Sequence, residues 1–205
     1  MVNKNLDKAR LENFSDGVIA ILITILVMGF EIPSDFLTKD YSLLEFIKYL
    51  IPQLIPYAIS FLVIAVHLFN HHILFSRMKA TDSNFIWLNL LFLFSLSLIV
   101  YPTALLGQDN NQETAAMLLV GAYFFKAVIF RLLHHYAIFK SGLYETNSTK
   151  KELKKIAIIS WLKGPLVELI AFFLIFIDYR LSLALILFSP LKSSGDEIKL
   201  SSNKI

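Results

Sequence analysis

Residues 10–30 read Arg-Leu-Glu-Asn-Phe-Ser-Asp-Gly-Val-Ile-Ala-Ile-Leu-Ile-Thr-Ile-Leu-Val-Met-Gly-Phe. Arg10, Ser15 and Asp16 stand at the mouth of the stretch, and from Gly17 to Phe30 the only polar side chain is Thr24. At about 1.5 Å per residue such a run crosses about 30 Å of hydrocarbon as a helix that is apolar on nearly every face. Ionisable groups held beside hydrocarbon usually meet a partner or line a water-filled path, which makes Arg10 and Asp16 the first functional candidates.

Outward from this stretch the same pattern recurs. The chain has 205 residues, 56% hydrophobic and only 17% charged. Its mean hydropathy is +0.63. The excess apolar residues fall in long runs, which defines an all-α, polytopic membrane protein rather than a soluble domain. There is no cysteine, so disulfides, thiolate metal sites and thiol nucleophiles are excluded. The basic N-terminus imitates a secretory leader, but Asp7, Glu12 and Asp16 interrupt it and the run exits through Phe30-Glu31-Ile32-Pro33 with no small-x-small site. A retained first span is expected.

The runs predict six spans: Phe14 to Ile32, Tyr49 to Leu74, Asn84 to Leu106, Thr114 to Phe139, Leu153 to Phe176, and a short sixth from Tyr179 to Ser189. Phe36 to Lys48 mixes apolar and charged residues and is expected as a short interfacial helix. Thirteen basic residues flank one side of this topology and three (Lys39, Lys48, Arg180) the other, which places both termini in the cytoplasm. The net charge of +3 bears on orientation, not on nucleic acid. Residues 1–192 form one six-span unit and 193–205 a polar cytoplasmic tail. No second copy of the Arg10–Asp16 pattern occurs, so a symmetric pore would need several chains.

Ile21, Ile25 and Met28 stand at i, i+4 and i+7, on one helix face. Rings of such side chains can close a pore by dewetting. On periodicity alone the assignment stays open, because the same spacing is found on other faces of this helix. Thr24 could equally bond back to the carbonyl four residues earlier. Six positions separate Arg10 from Asp16, about 9 Å along the axis and about 240° in rotation, so each needs a partner from another helix. His71, His72, Trp87 and Asn89 sit at the same membrane level. A metal on His71-His72 is disfavoured, since helical neighbours point about 100° apart. Lys126 and Glu168 lie deepest and are expected to neutralise each other; a proton relay through such groups is the less economical reading. Pro102 and Pro165 are expected to bend helices. No catalytic motif is present, no cofactor is expected, and no Thr-Val-Gly-Tyr-Gly filter occurs.

The Arg10-x-x-x-Phe14-Ser15-Asp16 pattern resembles the signature of the lysosomal-type potassium-channel family that lacks a pore loop, above all its bacterial six-span members. Asn70-His71-His72, Trp87-Leu88-Asn89 and Tyr101-Pro102-Thr103-Ala104-Leu105-Leu106-Gly107 extend the likeness over residues 10–107. Met28 stands where leucine is more usual, and Tyr101 where phenylalanine is common. The resemblance implies a homotetramer in a bacterial plasma membrane, conducting potassium through a pore lined by the first helices. Ile21 would form its narrowest ring, Thr24 a hydroxyl layer, and Ile25 and Met28 further rings. It also implies a polar network, here Arg10, Ser15, Asp16, His71, His72, Trp87 and Asn89, joining the first helix to its neighbours; within it Ser15 and Asp16 are expected to bond to His71 or His72 and to the Trp87 indole. The rivals are a proton channel or carrier built on Asp16 and the histidines, and a non-conducting scaffold.

Overall fold

The computed structural model describes residues 4–36, 38–108, 112–140, 143–144, 158, 161–162 and 164–187. Their regular structure is helical, apart from one isolated antiparallel bridge between Met78 and Tyr144. Helix α1 (Lys4–Ile25) ends in a 3-10 turn, Leu26–Gly29. Helices α2 (Leu43–Ser76), α3 (Ser83–Ser97), α4 (Val100–Leu106), α5 (Gln112–Phe139) and α6 (Pro165–Leu174) follow, and 179–187 is again helical.

Among the described residues, four stretches are long and apolar enough to cross a membrane: Lys8–Gly29, Leu43–Ser76, Ser83–Leu106 and Gln112–Phe139. Pro165–Leu174 is apolar but has only ten residues. The start expected for the fifth span, near Leu153, and the tail 193–205 lie outside the described residues.

Three boundaries differ from the sequence reading. First, no separate interfacial helix ends at Lys48. Ser42 and Glu45 form a capping box, the Ser42 hydroxyl accepting from the Glu45 amide and the Glu45 carboxylate accepting from the Ser42 amide. This starts α2 at Leu43 and absorbs residues 43–48 of the amphipathic segment. The 34 residues of α2 extend about 51 Å, more than a bilayer core requires, so the helix tilts or projects. Second, the third span is broken between α3 and α4. Pro102 has no N–H to offer the carbonyl four residues earlier, and the chain turns at Leu98 and Ile99. Third, the first helix tightens to a 3-10 turn after Ile25 instead of running to Ile32.

Helix α5 is the hub, packed against α3, α4 and α6. Inside this core Lys126 Nζ lies 3.0 Å from Glu168 Oε1, a buried ion pair that ties α5 to α6. A second polar cluster joins α2, α4 and α5: Tyr123 and Thr103 hydroxyls lie 2.7 and 2.6 Å from the Ser60 hydroxyl. The Thr103 hydroxyl donates to the Ile99 carbonyl, so donation runs from Tyr123 through Ser60 to Thr103. At the far end, the Lys79 amide donates to the Leu143 carbonyl (2.8 Å), pinning the loop after α2 to the one after α5.

Candidate functional site

Helix α1 has two unlike faces. Leu11, Ser15, Ile19, Leu22 and Leu26 recur every three or four residues and are buried against α2 and α3. Ile21, Thr24, Ile25 and Met28 lie on the side its own chain leaves uncovered; Ile21 is 57% and Met28 79% exposed. The Thr24 hydroxyl donates to the Ile21 carbonyl, three residues back and not four.

Behind α1 the structure brings together Ser15, Asp16, His71 and Asn89. The Ser15 hydroxyl donates to the Leu11 carbonyl at 2.7 Å. Its oxygen must then accept, and it does so from Asn89 Nδ2, also at 2.7 Å. That orientation turns Asn89 Oδ1 toward His71, whose Nε2 lies 2.9 Å away. Counting protons along the chain, Nε2 carries the hydrogen and Nδ1 of the neutral ring is a bare acceptor. His71 Nδ1 faces Asp16 Oδ1 at 3.8 Å, and both atoms are buried without a hydrogen-bond partner. A proton placed on either atom would turn this contact of two acceptors into an attraction. Phe75 and Phe92 pack on the His71 ring and help close the pocket.

The other network candidates stand apart. His72 is turned outward, 3.7 Å from Glu12 and not from Asp16. Arg10 is exposed and Trp87 is 71% exposed, and among the described residues no hydrogen bond joins either to the cluster.

Two features escaped the sequence reading. Gln53 makes a paired amide contact with the backbone of Glu31, and Ser60 holds the Tyr123–Thr103 junction. With His67 they form a seven-residue series, 53, 60 and 67, along the inner face of α2, and all three are buried. His67 Nδ1 bonds the Val63 carbonyl. That periodicity of polar residues within an apolar helix was the available signal.

This is a helical membrane protein whose first span carries an uncovered apolar face and, behind it, a fully buried Ser–Asn–His chain. Residues 10–99 match the family model for the endosomal/lysosomal potassium channel TMEM175. A potassium channel of Chamaesiphon minutus is 32% identical over 179 residues, 86% of this chain and 88% of that one. A potassium channel of a Chryseobacterium species is 31% identical over 145 residues, 71% of each. Among solved structures, a lysosomal potassium-selective channel TMEM175 homolog from Chamaesiphon minutus superposes with a TM-score of 0.78 at 29% identity, covering 93% of this chain and 98% of that one. A variant of the potassium channel MtTMEM175 gives 0.60 at 26% identity, covering 95% and 94%. The chain belongs to the TMEM175 family, which is one of ion channels and not of enzymes.

Proposed function

We propose that this protein is a potassium-preferring passive channel of a bacterial plasma membrane, a tetramer of six-span chains with cytoplasmic termini. Four copies of α1 surround the conduction path. Ile21 forms the constriction, Thr24 supplies hydroxyls beside it, and Ile25 and Met28 line the path further along. Cations shed part of their hydration to pass an apolar ring, and sodium, the smaller ion, holds its water more tightly. The observation that carries this reading is the uncovered face of α1: a span anchored on one side by a buried polar cluster leaves Ile21, Thr24, Ile25 and Met28 free to meet other copies. Family membership supports the choice of ion.

Purified protein in vesicles tests it. Potassium-dependent dissipation of a gradient is the expected result, and Ile21→Asn, which wets the constriction, should lower the potassium-to-sodium permeability ratio. An unchanged ratio would remove Ile21 from the filter, and a wild type silent to potassium and protons alike would leave only the scaffold.

One observation favours a second reading. The facing acceptors on Asp16 and His71 form a ready proton site. Proton flux that persists without potassium and disappears in His71→Leu would favour a proton channel or carrier.

A further inference from the structure

We propose that Glu31 is a conductance-determining residue: its carboxylate, fixed where α1 ends, draws cations to that mouth of the pore. This role rests on α1 being the pore helix.

Glu31 stands three residues beyond Met28, just past the 3-10 turn, where Phe30 takes an extended conformation. Its backbone is gripped on both sides by one side chain. The Glu31 amide donates to Gln53 Oε1 at 2.7 Å, and Gln53 Nε2 donates to the Glu31 carbonyl at 3.1 Å. Gln53 is 6% exposed, so its amide is committed to this one residue. A third amide holds the side chain: Gln108 Nε2 donates to Glu31 Oε1 at 2.6 Å.

Close packing leaves this end of α1 little freedom. A Cβ on Gly29 would lie 2.7 Å from the Ala104 Cβ, and one on Gly107 3.0 Å from the Gln53 Cα. Two glycines therefore let the turn, α4 and α2 meet at backbone distance.

The chemistry of the grip is informative. Among the described residues, Glu168 faces the Lys126 cation and Glu12 the His72 ring, whereas Asp82, like Glu31, is held by neutral donors, the Phe85 amide and the Tyr136 hydroxyl. Glu31 is held by neutral amides only, and among the described residues no cation pairs with it. Neutral donors fix a carboxylate without cancelling its charge. Repeated around an axis, such fixed charges give a ring that raises the local concentration of hydrated monovalent cations.

Single-channel potassium conductance, measured in planar bilayers from about 0.02 M to about 1 M KCl, tests this. Screening reaches about 10 Å at about 0.1 M salt but only about 3 Å at about 1 M, so a charge effect fades with salt and a packing effect does not. Glu31→Gln leaves an acceptor for Gln108 and the backbone grip intact. Its conductance should fall by about threefold or more at the lowest salt and converge with wild type at the highest. Glu31→Asp, which keeps the charge, should restore the low-salt conductance. A Glu31→Gln curve parallel to wild type at every salt, or a loss that Glu31→Asp does not restore, overturns the role of Glu31. That failure is separable from failure of the pore reading, because Ile21→Asn then still alters the permeability ratio; if neither variant changes conduction, the pore reading itself fails.

Discussion

Helices α1 and α5 are both apolar enough to cross a membrane, yet their own chain treats them differently. Over the most apolar window of each, 56% of α5 is buried and 28% of α1. Helix α5 is wrapped by three helices and pairs its buried Lys126 with Glu168 of α6. Helix α1 is held along one edge, with polar anchors at Ser15, midway along it and bonded to Asn89, and at Glu31, just past its 3-10 turn and clasped by Gln53. Between these anchors Ile21 and Thr24 face away from the subunit. A helix built as a core element owes its contacts to folding. A helix held along one edge and bare along the other is shaped for contacts that one chain does not supply.

Substitutions should separate the two roles. The largest loss of stability is expected on α5. Glu168→Gln strands the buried Lys126 charge and should destabilise the detergent-solubilised protein by about 3–5 kcal/mol, read from thermal unfolding. Replacing both partners by apolar residues should recover most of it; no recovery would mean the pair does more than neutralise itself. Asn89→Leu comes next. It leaves the Ser15 oxygen and His71 Nε2 without partners, an expected loss of about 1–3 kcal/mol, and it should loosen α1 before α5, visible as faster amide exchange over the first helix. Gly29→Ala forces a methyl into Ala104 and should cost about 1–3 kcal/mol, with rescue by adding Ala104→Gly. Ile21→Asn should shift unfolding by less than about 0.5 kcal/mol while changing ion discrimination, because no core contact is lost. A large stability loss there would erase the contrast between the helices.

The smallest effect belongs to the loop after α1. The Tyr41 hydroxyl donates to Asp35 at 2.6 Å, which holds the Asp35 carboxyl below its ordinary 3.8 and raises the Tyr41 phenol to about 12. The Asp35 contribution is present above pH 3.8 and fades as pH falls through the lowered value. The Tyr41 contribution is complete below pH 10 and fades as pH rises toward about 12. Limited proteolysis of this loop should accelerate at both extremes; Tyr41→Phe should abolish the alkaline dependence and weaken the acidic one, which a backbone hydrogen bond and Lys39 also support.

How far the sequence carried this account follows from where its signals are local. Four apolar runs became membrane-length helical stretches, the third broken between α3 and α4, because length and hydropathy need no partner to be read. Pro102 was legible as a bend, which the structure makes a break between α3 and α4; the Ser42-x-x-Glu45 cap that starts α2 was present but went unread behind the mixed charge of the preceding residues. Partner choice was harder. Asn89 and His71 were legible as candidates, but which of His71 and His72 turned inward depended on helix rotation, and Trp87 turned out to lie on the surface. On α1 the hydropathy pattern is nearly uniform, so the buried edge through Ile19 and Leu22 and the bare edge through Ile21 and Thr24 emerge only from packing. The clasp between Gln53 and Glu31 joins residues 22 apart and leaves no pattern in either segment alone.

Because the chain contains no cysteine, one introduced thiol reports its own surroundings without interference. Disulfides require Cβ atoms within about 3.5–4.5 Å, a distance the bare faces of neighbouring α1 helices can reach only around a shared axis. Ile21→Cys, oxidised in native membranes, should give linked dimers, while Leu118→Cys on the exposed side of α5 should remain monomeric. Cross-linking at Leu118 with none at Ile21 would contradict the central claim that copies of the first helix converge on a common path.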